Sequence, residues 1–589
     1  MKQDVWQHDK GVRKMETILL LLVGAMAVTV AARKMGLPAP LVVTAVALAV
    51  SFIPGVGFEI DPEVILTIVL PPLLFSAALD ISFQDFANSL RQIRRLGIML
   101  VILTALVVGG IANILVPDLT LPAALLIGAI VAPPDAVSAT AIGKKLGLPR
   151  RVMTVLSGES LINDAAALTL FRLFLVPVLL GAGNFSQNVV GEGILLLLVN
   201  IVIGVGFGLL IAVVVQFIRE RVKDPLIETV IGLLVPFVAY IFAEHIGFEM
   251  NDLEFTGSGV LAVVAAGLSL GYNAPKASYT MRLQEQPIWA SVDVLLEAFV
   301  FAVIGLQFKE VIQSAVESPH GLGFSLGVAF ILLAVTILIR PAYVFLSYYR
   351  RRTPRALRRQ QRRGRSEPEM SWQDLVVISW TGMRGVVTLA SAATVTGLAA
   401  SQYIPAKDII YLTAFVVTIG TLLIQGVTLP FVIKWLKVTD PDQAKRDAVA
   451  ERELVAKTYE VAFREMQPQW EAISKNLGPE IADKILNRFK QLALAQTQAQ
   501  RADEELEEAT DEVETADSAT PGKPSAQQRK EMSNFMNDTR RMLNDIRRSV
   551  IIRERDAGNL DEEVMRTVLM DLDAESFAMD KSWQNRMRA

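Results

Sequence analysis

Between Met15 and Leu436 the chain is written as apolar runs separated by short polar stretches. Each run approaches the ~20 residues that a helix needs to cross hydrocarbon. They fall at 15–32, 38–54, 62–79, 97–116, 121–143, 152–180, 189–217, 225–247, 256–273, 288–308, 321–349, 372–399 and 408–436, about thirteen predicted spans. None alternates over ~10 residues as the strands of an outer-membrane barrel do, so the pattern excludes that class. The polar stretches alternate in charge. After odd-numbered spans they carry Arg33/Lys34, Arg91/Arg94/Arg95, Lys144/Lys145/Arg150/Arg151, Arg219/Arg221/Lys223, Lys276/Arg282 and the arginine run from Arg350 to Arg365. After even-numbered spans the basic residues are only Lys309 and Lys407. Short basic loops stay cytoplasmic, so the alternation predicts an outside N-terminus and a cytoplasmic C-terminus. Lys2, Lys10, Arg13 and Lys14 pull the other way and are outvoted.

From Val438 the pattern changes. Residues 440–500 read as amphipathic helix, and about 501–530 is acidic and poor in apolar residues, a predicted disordered linker. A helical hairpin closes the chain. Met542, Ile546 and Val550 form one apolar stripe, Val564, Val568 and Leu572 another, and Asp561 caps the second helix after the Gly558-Asn559 turn. The expected organisation is a transmembrane domain over 1–437 and a cytoplasmic helical tail over 438–589.

Composition narrows the chemistry. The 589 residues are 52% hydrophobic and contain no cysteine, which removes disulfides, thiolate catalysis and Cys-ligated metals. Three histidines, His8, His245 and His320, are too scattered to bind zinc. The net charge of −3 hides a segregation of basic loops and acidic tail. Met15–Ala32 follows basic residues as a signal peptide would, but it runs into a second apolar segment without a cleavage pattern and reads as the first span. The arginine run 350–365 reads as an anchor at anionic lipid, not as a nucleic-acid patch. No nucleic-acid partner is expected.

Against this apolar background the ionisable residues inside the spans are the informative ones, because each costs at least ~2.5–3.5 kcal/mol at the bilayer centre. Span five holds Pro133-Pro134-Asp135, where two prolines break the helix and leave carbonyls beside a carboxylate. Span twelve is interrupted at Thr381-Gly382-Met383-Arg384-Gly385. Irregular backbone at membrane depth survives only inside protein or along a cavity. Two interrupted spans in corresponding places point to inverted repeats around a transport site. In span six, Ser157, Ser160 and Asp164 share one helical stripe, with Glu159 and Asn163 on the next. Hydroxyls and carboxylates are hard ligands, suited to an alkali cation or a proton. The simplest charge balance pairs Glu159 with Arg384 and leaves Asp135 and Asp164 to change partners.

The motifs GESLINDA (158–165), APPDAV (132–137) and TGMRG (381–385), with LPPLLF at 70–75 and FVFAVIGLQF at 299–308, resemble those of the monovalent cation/proton antiporters, in the bacterial sodium/proton exchanger branch. The likeness covers about residues 15–437, and RERDAGNLDEEVMRTVLMDLD resembles the tails of some members. It implies an all-α polytopic fold with two broken crossing helices, and a homodimer in the bacterial inner membrane. Spans one to three and eight to ten would form the dimer domain, and spans four to six and eleven to thirteen a moving core. It further implies that Asp164 binds cation or proton in turn, with Asp135, Ser160 and the Pro134 carbonyl as co-ligands. Glu159 and Arg384 would be a structural ion pair, and Asn163 resembles the asparagine of electroneutral exchangers. The chain departs from the pattern at Ser76, where several relatives carry a glutamate, and at Glu297, for which Arg172 is the expected partner.

The expected function is exchange of Na+, Li+ or K+ for H+ by competition at Asp164, with no cofactor beyond the transported ions. A K+/H+ antiporter is the near alternative. The distant one is an intramembrane aspartyl protease, whose paired acids share a proton. Its Gly-x-Gly-Asp setting is missing around Ile162-Asn163-Asp164-Ala165.

Overall fold

The computed structural model describes residues 2–54, 64–135, 137–180, 189–222, 224–250, 253–352, 370–398, 404, 406–440, 442–477 and 526–588. The region 353–369, which holds most of the arginine run, and the predicted linker up to residue 525 lie outside them. The chain forms two compact units, one of residues 1–273 and 285–440, the other of 274–284 and 441–589.

In the first unit every predicted span is found as helix. Spans one to three are Lys2–Lys34, Ala39–Ser51 and the π-helical turn Ile65–Val69 running into Leu70–Asp80. Span four runs unbroken over Phe83–Leu115, so Arg91, Arg94 and Arg95 lie on a helix and not in a loop. The Ser82 hydroxyl starts that helix by accepting the Asp85 N–H at 3.2 Å. Span five is split into Leu121–Val131 and Val137–Leu146. Spans six to eleven are Arg150–Leu179, Val189–Arg219, Pro225–His245, Gly259–Asn273, Tyr279–Leu306 and Gly321–Arg351. Span twelve is split into Trp372–Trp380 and Val386–Leu398, and span thirteen is Lys407–Leu436, with a π-helical turn at Leu422–Gly426. Two connections carry structure that the hydropathy pattern does not announce. An antiparallel strand pair, Gly247–Met250 with Leu253–Thr256, follows span eight. A short amphipathic helix, Phe308–Glu317, follows span ten and buries Val311 and Ala315.

Span four and the first half of span five pack closely because small residues face each other. A Cβ on Gly128 would overlap the Ala105 carbonyl, and one on Gly109 would stand 2.7 Å from the Leu125 Cα. Lipid supplies no hydrophobic drive between helices, so this close backbone approach is what holds the broken span in place.

Among the described residues the second unit is a bundle of Gln443–Leu477, in the stretch that reads as amphipathic helix, with Ala526–Asp556 and Glu562–Arg588, where the hairpin is predicted. Leu454, Val455, Tyr459 and Ala462 of the first helix meet Leu543, Ile551, Val564, Val568 and Leu572 of the other two. Asp561 caps the third helix, accepting the Glu563 N–H at 2.9 Å, and Gly558 turns the chain at φ +74°. The segment 274–284 belongs to this unit. Its Arg282 grips the buried Asp573 carboxylate with two hydrogen bonds, of 2.6 and 2.5 Å, and Arg548 reaches the same carboxylate at 3.1 Å.

Candidate functional site

The two breaks cross each other. In span five the helix stops at Val131, and residues 132–135 run without regular structure. Residues 381–385 do the same in span twelve. The Asp135 N–H donates to the Met383 carbonyl at 2.6 Å, joining break to break. Gly385 lies directly against Asp135: a Cβ there would overlap the carboxylate and stand 2.7 Å from its Cβ and Cγ. Glycine is needed because no side chain fits between the two backbones.

Span six supplies the third wall. Its Asn163, fully buried, donates Nδ2–H to the Pro134 carbonyl at 2.5 Å. That carbonyl belongs to the unwound segment and has no helical partner, so the asparagine satisfies it. Asp164, one residue on, is 8% exposed and has no hydrogen bond or ion pair among the described residues. Pro133, Asp135, Ser160, Asp164, Glu297 and Thr388 line one cavity of about 60 Å³. A water needs ~10–15 Å³ of such space, so the cavity has room for roughly four waters or a partly hydrated ion.

The two expected ion pairs are not formed. Glu159 is held by Arg340 of span eleven: Nη2–H donates to Oε2 at 2.7 Å, Nη1–H donates to Oε1, and both side chains are 2% exposed. Arg384 is occupied elsewhere. Its Nε–H donates to the Val131 carbonyl at 2.9 Å, Nη2–H to Ala132 at 3.3 Å and Nη1–H to Gly382, while its backbone N–H meets the Thr421 hydroxyl at 2.9 Å. The cause is the break itself. Where span five stops, its last carbonyls are left without helical donors and carry the negative end of the helix dipole. A guanidinium fits that end well, and its donors are then used up. Arg172 also has a different partner. It binds Glu244 of span eight at 2.7 Å and the Thr256 hydroxyl at 2.9 Å, leaving Glu297 to face the cavity. Ser76, at the position of the missing glutamate, donates to Asp293 Oδ2 at 2.6 Å.

Arg340, Glu244 and Thr388 are absent from the sequence reading. Arg340 carried a usable signal, an arginine in the middle of an apolar run just before Pro341. Thr388 carried none, since threonines are common in spans.

Two half-helices crossing at membrane depth beside a carboxylate-lined cavity define a broken-helix secondary transporter. The family model described as the transmembrane sodium/hydrogen exchanger matches residues 18–435. The chain belongs to the sodium/hydrogen exchanger family. It is similar to the Na+/H+ antiporter ApNhaP of Aphanothece halophytica, 31% identical over 70% of this chain and 72% of that one. It is also similar to the sodium, potassium, lithium and rubidium/H+ antiporter of Bacillus subtilis, 28% identical over 67% of this chain and 57% of that one. In fold it matches the sodium proton antiporter MjNhaP1 of Methanocaldococcus jannaschii, with a TM-score of 0.57, 20% identity, and coverage of 72% of this chain and 99% of that one. The family is one of transporters, which sets the protease alternative aside.

Proposed function

We propose that this protein exchanges Na+, or another alkali cation, for H+ across the bacterial inner membrane, at Asp164. One observation carries the reading. Asp164 faces the cavity without a fixed cationic partner, while both nearby arginines, Arg340 and Arg384, are committed to Glu159 and to backbone carbonyls. An acid so placed is neutralised by whatever cation enters, metal or proton, and one position holds one of them at a time. Only a neutralised site crosses the apolar barrier cheaply, since a bare charge costs at least ~2.5–3.5 kcal/mol at mid-membrane. Obligatory exchange follows from that competition. Asp135 and Ser160 are the co-ligands, with the Pro134 carbonyl behind them tied to Asn163.

Asn163 is neutral, so the site carries one fewer acid than a paired-aspartate site would, which supports an electroneutral cycle. Spans four to six and eleven to thirteen, which contain both breaks, are the moving core. Spans one to three and eight to ten are the static, dimer-forming part. The basic stretches after odd-numbered spans support a cytoplasmic C-terminal bundle. The similarity to the Bacillus antiporter, whose name covers four alkali cations, keeps K+ among the substrates to test.

The test uses full-length protein in proteoliposomes with a preset pH gradient, given pulses of Na+, Li+ or K+. Asp164→Asn should abolish cation-dependent dissipation of the gradient while the protein still assembles. Retained flux in that variant overturns the assignment.

A further inference from the structure

Glu297 is an acid to which the exchange cycle above gives no role. It sits on span ten, one helical turn beyond Asp293, and lines the cavity that holds Asp135, Asp164 and Ser160. Among the described residues no hydrogen bond or ion pair reaches its carboxylate: Arg172 is engaged by Glu244, and Arg33 acts on it only through space. An intramembrane acid kept only for packing would have such a partner. Asp293 does have one, in Ser76.

A second observation comes from a different element. Thr388 lines the same cavity, is 1% exposed, and its hydroxyl has no hydrogen-bond partner among the described residues. A threonine inside a helix ordinarily bonds back to the carbonyl four residues earlier. Here the helix begins only at Val386, so residue 384 is not part of its ladder. The hydroxyl is left to face the cavity, and a buried polar group without a partner is costly unless something binds it.

The cavity of about 60 Å³ has room for an ion together with some of its water. We propose that Glu297 and Thr388 form the outer wall of the alkali-cation site, holding the partly hydrated ion opposite Asp164 and setting its affinity. This rests on the assignment of exchange to Asp164. The arrangement brings span ten into the site, so the cation is held between the crossing breaks and a helix outside them.

The experiment measures the apparent KM and maximal rate of exchange for Na+ and for Li+ in proteoliposomes of the full-length protein. Glu297→Gln should raise KM for Na+ about tenfold with the maximal rate kept within about twofold, the pattern of a lost ground-state contact. Thr388→Val should raise it about threefold, and Thr388→Ser, which keeps the hydroxyl, should restore it. Glu297→Asp, which keeps the charge but draws it back, should alter the ratio of the Na+ and Li+ KM values. That variant also carries the test if the glutamine variant does not assemble. Wild-type KM values in Glu297→Gln and Thr388→Val, alongside an inactive Asp164→Asn, overturn the outer wall and leave the Asp164 assignment standing. An active Asp164→Asn overturns that assignment instead.

Discussion

Arg340 meets Glu159 through two parallel hydrogen bonds between span eleven and span six, both side chains shut away from solvent. A third bond, from Arg340 Nε–H to the Ile378 carbonyl at 2.9 Å, ties the guanidinium to the first half of span twelve. One side chain thus joins three elements around the break. Removing one partner of such a pair leaves a buried charge uncompensated, at a cost of about 3–5 kcal/mol. Arg340→Ala and Glu159→Ala are therefore expected to lower thermal stability and yield more than they lower the KM for cation. A double-mutant cycle separates the two candidate partners. The Glu159/Arg340 coupling should exceed about 1 kcal/mol, while Glu159/Arg384 should be smaller, because residues in direct contact couple and others largely add. Equal couplings in detergent melting would contradict the pairing seen here.

That pair also shows what the sequence made legible and what it did not. The spans were readable because the bilayer imposes a length and an apolar composition on each crossing. The two breaks are legible because Pro133-Pro134 cannot continue a helix and the glycines around Arg384 weaken one. Span six could be laid out by helical periodicity alone, which put Ser160 and Asp164 on one stripe. Partner choice was not readable, because it depends on how spans far apart in the chain are packed. Charge balance alone offers Arg384 to Glu159, whereas the carbonyls of Val131 and Ala132 engage it. Nothing in the sequence tells Arg172 to choose Glu244 of span eight over Glu297 of span ten. The amphipathic helix and the closing hairpin of the tail are each legible from their apolar stripes, but the packing of one against the other is not, because one-dimensional periodicity carries no such pairing.

Gly385 makes the most local prediction. A methyl group there would occupy the space of the Asp135 carboxylate, whereas one at Gly110 meets nothing within 4 Å. Gly385→Ala should therefore displace the co-ligand and raise the KM for Na+ by at least about tenfold, a 1 Å misplacement commonly costing ~100-fold. Gly110→Ala should be silent. Gly128→Ala should act through stability, since its methyl would strike the Ala105 carbonyl between spans four and five. Exchange kinetics and melting temperature measured side by side distinguish the three outcomes.

Asn163 offers a test of the unwound segment. Its amide donates to the Pro134 carbonyl, and no other side chain is seen to donate there among the described residues. Asn163→Asp is isosteric but replaces a donor by a carboxylate, setting oxygen against oxygen at 2.5 Å. The expected result is a loss of exchange of at least about tenfold, because an unmade buried hydrogen bond costs ~1–3 kcal/mol. Asn163→Gln, which keeps the amide on a longer stem, should fall between the two. Wild-type rates in the aspartate variant would show that the Pro134 carbonyl needs no donor.

The tail bundle carries a pH dependence of its own. Tyr459 is packed against Leu543, Val564 and their neighbours, and burial pushes its phenol up to about 12 even though the Arg547 guanidinium stacks 3.9 Å above the ring and pulls the other way. In the unfolded chain the phenol ionises near ~10. Between about pH 10 and 12 the unfolded tail releases a proton that the folded bundle keeps, so stability falls as pH rises through that window and is fully present below it. Two pKa units correspond to about 2–3 kcal/mol. Tyr459→Phe should flatten this alkaline loss while costing little at neutral pH. The chain has no cysteine, so a single cysteine at the exposed position of Glu460 carries a fluorophore that reports on this helix alone in the full-length protein. Thermal unfolding read from that label from about pH 9 to 12 should drop steeply in the parent and shallowly in the phenylalanine variant. Parallel curves would place the alkaline sensitivity at another group.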